Sequence, residues 1–247
     1  MNLVKSALAS AALIAAASSA HATPILGSSL QNTLNGLYQS ATCPSCSAVG
    51  LAPNVTTDQA VPDEMWAIEA SGSSIATIVV ELAGFADQNI FGIYDIYDPS
   101  HTVQLFGGAA SSGSSVLLSF DDTGMAYRNF AATGVSFGSS HFGYYLQTPE
   151  HTFYSQAGLN ADGADQMVAF QGDGDRIKLP GKPAGIWGSS SYILAWEDLA
   201  YNFSDKDFDD FVVYVESVTA VPEPGTLALF GLGLLSLGVA SRRRLRA

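Results

Sequence analysis

From Met65 onward, the sequence consists largely of short apolar or alternating runs separated by glycine and proline. These runs are rich in Thr, Val, Ile, Tyr and Phe, and their spacing suits strands of about five to eight residues. Because no convincing long helical pattern alternates with them, we expect a mainly β protein: a single antiparallel β-sandwich or jelly roll over residues 63–220. The runs are Met65–Glu69, Ser74–Leu82, Ile90–Tyr97, Thr102–Phe106, Val116–Phe120, Met125–Phe130, Phe142–Leu146, Met167–Gln171, Tyr192–Trp196 and Phe211–Val218.

The last two runs predict which side chains share a face of the sheet, because successive side chains of a strand point to opposite faces. Both faces of the Phe211–Val218 run are apolar, which indicates a central strand rather than an edge strand. The side chains expected to share a face are Tyr192, Leu194 and Trp196 in one run, and Phe211, Val213 and Val215 in the other.

Between these two runs lies the densest group of acidic residues in the sequence. Its carboxylates are Glu197, Asp198, Asp205, Asp207, Asp209 and Asp210. Carboxylates so close in sequence repel one another unless they are solvated or neutralised, and Ca²⁺ binds six to eight oxygen ligands. Two interpretations stay open at this point: a calcium site formed by these six residues, and a solvated loop in which some aspartates cap turns.

An EF-hand is excluded, although Asp205, Asp207 and Asp209, with Glu216 further on, superficially match its spacing. The sixth position of an EF-hand loop requires glycine for a sharp turn, and here it is Asp210. The residues that follow also have the pattern of a buried strand.

Residues 23–62 are weakly patterned, but Leu30, Leu34 and Leu37 share one face of a predicted amphipathic helix over Ser28–Tyr38. The only two cysteines are Cys43 and Cys46. In an exported chain this spacing favours a disulfide that closes a small loop. A redox motif lacks the expected strand–helix context, and a zinc site lacks a second pair of ligands.

Residues 1–22 are typical of a secretory signal peptide. Lys5 precedes an apolar stretch, and the small residues Ala20 and Ala22 form an A-x-A end, so signal peptidase is expected to cleave after Ala22. The chain is therefore expected to be exported.

Residues 221–247 contain three parts: Pro222-Glu223-Pro224, an uncharged apolar run over 226–240, and a terminal basic cluster. As a helix the run would span about 23 Å, less than a hydrocarbon core of about 30 Å, but a thinned bilayer can accommodate it. Arginines stay on the cytoplasmic side, so a transient inner-membrane anchor is expected. The arginines are Arg242, Arg243, Arg244 and Arg246.

These three parts, in this order at this end, resemble the PEP-CTERM sorting signal of exported bacterial proteins. The resemblance implies recognition by an exosortase-type membrane enzyme, which removes the tail. It also implies a final location at the cell surface, in the outer envelope or outside the cell, and a link to extracellular polysaccharide and biofilm.

A second resemblance covers residues 137–218. The stretches Phe142–Leu146, Ala195-Trp196-Glu197-Asp198-Leu199 and Ser204–Phe211 are similar to an exported-domain family of unknown function with W-E-D-L and D-x-D-F-[ND]-D stretches. The chain departs from that family at Asp209, where the family usually has asparagine. The resemblance implies architecture and export, and no biochemical activity.

The net charge expected for the mature protein limits the kinds of partner that it can bind. The chain has 10 basic and 23 acidic residues. Removal of the signal peptide and the C-terminal tail would remove five basic residues but only one acidic residue, Glu223, and would leave a net charge near −17. Such a body repels nucleic acid and anionic membrane surfaces. We expect a non-enzymatic protein of the cell surface or extracellular matrix, associated with extracellular polysaccharide.

Two alternatives remain. The first is a calcium-stabilised carbohydrate-binding module, in which exposed aromatic side chains stack on sugars. The candidates are Tyr144, Tyr145, Trp187 and Tyr201, although such residues more often lie in the core or at ordinary surface positions. The second is an exported polysaccharide hydrolase, which needs two carboxyl groups at a set separation. No H-E-x-x-H motif of a zinc protease occurs, and we predict no catalytic residue.

Overall fold

The structure is a computed structural model that describes residues 29–41, 51–68, 72–81 and 87–222. One α-helix, α1 (Ser29–Ser40), and fifteen strands occur in this part of the chain. The strands are β1 (Met65–Ile68), β2 (Ser73–Glu81), β3 (Ile90–Tyr94), β4 (Thr102–Phe106), β5 (Ser115–Phe120), β6 (Met125–Arg128), β7 (Ala131–Ser136), β8 (His141–Gln147), β9 (Thr152–Tyr154), β10 (Met167–Gln171), β11 (Arg176–Ile177), β12 (Gly185–Ile186), β13 (Ser191–Trp196), β14 (Phe211–Glu216) and β15 (Val218–Val221).

Several sequence predictions lie outside the described residues. They concern the signal peptide with Ala20 and Ala22, the cysteines Cys43 and Cys46, and the sorting tail from Glu223 and Pro224 to Arg242, Arg243, Arg244 and Arg246. Within the described residues, no helix is both long and apolar enough to cross a membrane.

The strands form two large antiparallel sheets and a small hairpin. The first sheet has the order β15-β1-β8-β3-β4, with β9 also paired to β8, and the second has the order β10-β13-β14-β2-β5-β6-β7. β11 pairs only with β12. The predicted mainly β, antiparallel sandwich is therefore confirmed.

The inner faces of the two sheets form the main core. Trp66 in the first sheet packs edge-on against Tyr192 in the second, with ring centroids 4.7 Å apart. Phe91 similarly stacks on Phe211 at 5.2 Å and meets the edge of Trp196 at 6.1 Å. The side chains predicted to share a face on β13, and those predicted to share a face on β14, all belong to this core.

The outer face of the second sheet is also covered. The apolar side of α1, formed by Leu30, Leu34, Leu37 and Tyr38, packs with outward residues of β10, β13 and β14 in a second apolar cluster. The predicted amphipathic helix is confirmed. Because β14 pairs with β13 on one side and β2 on the other, and has both faces covered, its prediction as a central strand is also confirmed.

The single strand predicted over Phe211–Val218 is wrong at its C-terminal end, because the structure divides it between β14 and β15. Ser217 has a φ of 58°, in the left-handed region, and the chain changes direction there. β14 stays in the second sheet, whereas β15 pairs with β1 in the first sheet, with Met65 opposite Val221. The C-terminal strands thus connect the two layers.

Candidate functional site

The acidic loop, residues 197–210, connects two neighbouring central strands. β13 ends at Trp196 and β14 begins at Phe211, and these two residues are direct partners in the sheet. The two ends of the loop are therefore held side by side. The amide of Gln166 also holds its first part, because in the orientation that satisfies both groups it donates to the carbonyl of Leu199 and accepts from the N–H of Tyr201.

Three of the six predicted ligands come together. One carboxylate oxygen each from Glu197, Asp205 and Asp207 lies within 4.8 Å of the other two. Glu197 is fully buried, Asp207 is half-buried and Asp205 is exposed, so the cluster opens to solvent on one side. We call these three residues the carboxylate triad.

One oxygen of the triad has no hydrogen-bond partner. Glu197 Oε1 accepts the backbone N–H of Phe208 at 2.7 Å. Glu197 Oε2 is buried without any partner. Burial raises the pKa of Glu197 to about 7; hydrogen bonds from the Phe208 N–H and from the side chain of Ser204 oppose this rise, and the charges of Asp205 and Asp207 add to it. An uncompensated buried carboxylate oxygen is costly unless something else satisfies it.

The second half of the loop is anchored by Phe208. Its side chain is fully buried in the apolar cluster beneath α1, which fixes the residues on either side of it. Lys206 and Phe208 both have positive φ values, 64° and 57°. The first residue of α1 also contacts the loop, because Ser29 Oγ donates to Asp207 Oδ2 at 2.9 Å.

Within the described residues, no ion pair forms with a carboxylate of the acidic loop; the ion pairs there join His101 to Asp95 and Asp98. Lys206, the cation within the loop sequence, instead lies over the ring of Tyr201, with its Nζ 4.3 Å from the ring centroid. In the part of the chain that the structure describes, no basic side chain forms an ion pair with the triad.

The other three predicted ligands take different positions. Asp210 Oδ2 accepts the backbone N–H of Asp198 at 3.0 Å, and Asp198 Oδ2 accepts from Asn89 Nδ2 at 3.3 Å. Burial raises the pKa of Asp210 to about 8; its hydrogen bond from Asp198 opposes this rise, and the charge of Asp198 contributes to it. The backbone N–H of Asp209 donates to Asp207 Oδ1 at 3.2 Å, and its own Oδ2 is buried without a partner.

Ser29 and Asn89 also contact the acidic loop, and the sequence did not predict them. Ser29 lies 178 residues from its partner Asp207, and Asn89 lies 109 residues from Asp198. No local pattern marks either residue, because each contact depends on how α1 and the two sheets pack. The exclusion of an EF-hand agrees with the structure, in which the expected end of the calcium loop is strand β14.

Three of the four candidate sugar-stacking residues are buried instead, in agreement with the alternative that they serve the core. Tyr144, Tyr145 and Trp187 are at most 4% exposed. Tyr144 points into the core and stacks on Phe91 at 5.4 Å, and Trp187 Nε1 donates to the carbonyl of Ser191. Their size and apolar area suit them to the core. Tyr201 is half-buried beneath Lys206, and the exposed aromatic residue of the loop is Phe203, at 82%.

A hydrolase-like G-x-S-x-G spacing occurs at residues 134–138. A nucleophile elbow requires a strand–turn–helix context. Ser136 is instead the exposed last residue of edge strand β7, and its hydroxyl donates to the carbonyl of Thr123. This spacing therefore does not form a nucleophile elbow.

A groove of about 340 Å³ lies on the outer face of the second sheet, beside the β11–β12 hairpin. Its lining includes the polar residues Thr77, Ser115, Lys182 and Glu216. Glu216 is at the opposite end of β14 from the acidic loop, so the groove and the triad are separate features.

Two family models match the chain. The PEP-CTERM protein-sorting motif matches residues 220–244, and the domain of unknown function DUF4114 matches residues 132–218. No curated protein and no solved structure matches the chain significantly. Both predicted resemblances are confirmed. The first match supports an exported protein that is transiently membrane-anchored and processed by an exosortase-type enzyme, and the second includes the whole acidic loop.

Proposed function

We propose that the mature protein is a non-enzymatic component of the cell surface or extracellular matrix, whose sandwich is stabilised by Ca²⁺ bound at the carboxylate triad. The observation that carries this proposal is the buried, unpartnered Oε2 of Glu197, within a group of three carboxylates that has no ion pair. The sorting motif supports the exported location.

A divalent cation accounts for the triad better than solvation does. Two of the carboxylates, those of Asp205 and Asp207, have access to water, but Glu197 does not. Ca²⁺ takes carboxylate oxygens as ligands and neutralises their mutual repulsion. Extracellular modules bind it with dissociation constants of roughly 10⁻⁴–10⁻³ M, so a partly exposed site of three carboxylates suits an exported protein.

The same geometry favours a non-enzymatic role. Glycoside hydrolysis requires two carboxyl groups that both reach the scissile bond of the sugar chain. Glu197 is fully buried and its Oε1 is held by the N–H of Phe208, so it does not offer a polymer an accessible acid or base. Turnover of a polysaccharide that is abolished by Glu197→Gln would contradict this part of the proposal.

The calcium site is tested by thermal unfolding of the purified mature protein. Calcium at one hundred times its dissociation constant should add about 2.7 kcal/mol to the free energy of unfolding, and a chelator should remove that gain. Glu197→Gln should abolish the calcium response. Asp122→Asn, an exposed residue in the β5–β6 turn, is the matched control and should retain it. A melting temperature of the wild-type protein that is the same in calcium and in chelator would refute the proposal.

Carbohydrate binding is the second candidate function, and the groove beside the β11–β12 hairpin is the observation that favours it. The hydroxyl of Ser115, which pairs with the hydroxyl of the buried Thr77 at 2.9 Å, and the charges of Lys182 and Glu216 offer hydrogen-bonding groups to a sugar. Gel electrophoresis through a matrix containing polysaccharide would show a retarded protein. Lys182→Ala should relieve the retardation, whereas the exposed control Lys178→Ala should not.

A further inference from the structure

We infer that Ca²⁺ at the carboxylate triad binds a neutral sugar chain directly, through neighbouring hydroxyl groups, and that the exposed ring of Phe203 packs against the sugar. This inference rests on the proposed function, because it needs the calcium site, and it names the partner of that site. The site is separate from the groove beside the β11–β12 hairpin, whose lining includes Glu216 at the other end of β14.

The triad leaves part of the coordination of the ion open. Glu197, Asp205 and Asp207 each offer one oxygen to a shared position, whereas Ca²⁺ takes roughly six to eight oxygen ligands. Glu197 is fully buried and its Oε2 has no partner, so it marks the protein side of the ion. Asp205 is exposed and marks the side that a ligand reaches. Two hydroxyl oxygens on adjacent sugar carbons are suitable ligands for the open positions, because a hydroxyl oxygen has lone pairs to offer.

Phe203 lies beside this open side. It comes two residues before Asp205, so the Cα atoms of the two residues are at most about 7 Å apart. Between them, the side chain of Ser204 hydrogen-bonds to the carboxylate of Glu197, which ties this part of the loop to the triad. The backbone N–H of Phe203 donates to the carbonyl of Ala200 at 2.7 Å, so the ring is carried on a defined turn.

The ring of Phe203 is the aromatic surface of the loop that is free to contact a sugar. It is 82% exposed, whereas Phe208 is fully buried beneath α1 and Tyr201 is half-buried under Lys206. An aromatic ring offers a flat apolar surface to the C–H groups of a sugar, and removing that surface from water favours binding. An isolated exposed apolar side chain is common on protein surfaces, so the position beside open calcium ligands is what gives Phe203 this role.

The charge of the loop favours a neutral sugar over an acidic one. The two positive charges of Ca²⁺ do not balance three ionised carboxylates, and the loop contains three further acidic residues with Lys206 as its only basic residue. A uronate or sulfate group would therefore approach net negative charge and be repelled. Uncharged hydroxyl groups coordinate the ion without that repulsion.

Surface plasmon resonance of the purified mature protein on immobilised mannan, dextran and hyaluronan tests the inference. In saturating calcium, the wild-type protein should bind mannan or dextran, which are neutral, more tightly than the acidic hyaluronan, and a chelator should release it. Phe203→Ala should weaken this binding about tenfold, as expected when an aromatic anchor is truncated. Its rise in melting temperature with calcium should equal that of the wild type, because the ring is not a metal ligand.

Two further variants serve as controls. Phe130→Ala removes a ring that is 84% exposed in the β6–β7 turn, far along the chain from the triad, and it should bind like the wild type. Glu197→Gln should lose both the calcium response and the polysaccharide binding.

The outcomes distinguish this inference from the proposed function. If calcium raises the melting temperature but neither mannan nor dextran binds in a calcium-dependent manner, the inference is overturned and the proposed function stands. If calcium does not change the melting temperature, both are overturned. Binding that survives the chelator and is lost in Lys182→Ala would assign the sugar to the groove instead. Binding that is unchanged in Phe203→Ala, or that is tighter on hyaluronan, would also contradict the inference.

Discussion

Asp63, just before β1, is a buried carboxyl group outside the candidate site. It is 5% exposed, and Asp165, at 7% exposure, lies close enough to influence it. Burial raises the pKa of Asp63 to about 8, and the charge of Asp165 raises it further. The folded protein therefore keeps a proton on Asp63 at pH values where the unfolded chain has lost it.

This difference predicts how stability depends on pH. Between the ordinary aspartate pKa of 3.8 and the folded value of about 8, the folded state binds more protons at Asp63 than the unfolded state does. Stability should therefore fall as pH rises through this window, by up to about 1.4 kcal/mol per pH unit from this group. In Asp63→Asn this contribution should disappear, because asparagine does not titrate.

Urea unfolding at several pH values between 5 and 8, in saturating calcium, measures the effect. The free energy of unfolding of Asp63→Asn relative to wild type should increase steadily with pH. The exposed variant Asp162→Asn provides the control and should run parallel to wild type. A constant difference between Asp63→Asn and wild type across the range would show that Asp63 is ionised in the folded protein.

At the scale of elements, α1 closes the outer face of the second sheet, where the acidic loop is anchored. Leu34 of α1 is fully buried in the same apolar cluster as Phe208. The helix has no acidic residue in its first turn and no basic residue in its last, so favourable charges do not support its ends. Its stability in the protein therefore depends mainly on the packing of its apolar face.

Leu34→Ala should lower the free energy of unfolding by about 2–5 kcal/mol, the range found when a buried leucine leaves a cavity. Asn32→Ala, at an exposed position of the same helix, should cost nothing or stabilise slightly, because alanine has the higher helix propensity. The comparison of the two variants in urea unfolding isolates packing from helix propensity. Equal effects would mean that α1 does not hold the outer cluster together.

The elements that sequence patterns predicted well are the ones with a strong apolar pattern. β4 and β10 have the predicted bounds, since glycines and polar residues end both runs. β7 was missed because its residues, Ala131–Ser136, are small and mostly exposed at the edge of the sheet. β9, β11 and β12 have only two or three residues each, too few for a period to appear.

The candidate site was predictable only in part, for a related reason. The acidic residues are close enough in sequence to be recognised together, but which of them meet in the triad depends on the direction that each side chain takes. The positive φ values at Lys206 and Phe208 set those directions in the second half of the loop. Ser29 and Asn89 reach the loop only through the packing of α1 and of the two sheets.

At the scale of the whole molecule, the sandwich ends where the sorting motif begins. β15 is an edge strand of the first sheet and ends at Val221, and the motif match starts at residue 220. Val218 is fully buried in the main core, and Ala220 packs against it. Pro222, the first residue of the Pro-Glu-Pro triplet, is exposed. A cut after Val221 would therefore leave every strand of the sandwich in place.

This arrangement predicts that the tail determines location but contributes little to the fold. A variant that ends at Val221 should unfold at the same temperature as the naturally processed protein, because it retains β15 and the pairing of Met65 with Val221. It should nevertheless be released to the medium, because it lacks the tail that would anchor it transiently in the membrane.

Replacing Pro222, Glu223 and Pro224 with alanine, with the rest of the tail intact, should leave an unprocessed precursor in the membrane fraction. Cell fractionation and intact mass distinguish these results. A triplet variant with the mass and location of the mature wild-type protein would show that the sorting enzyme does not read this triplet.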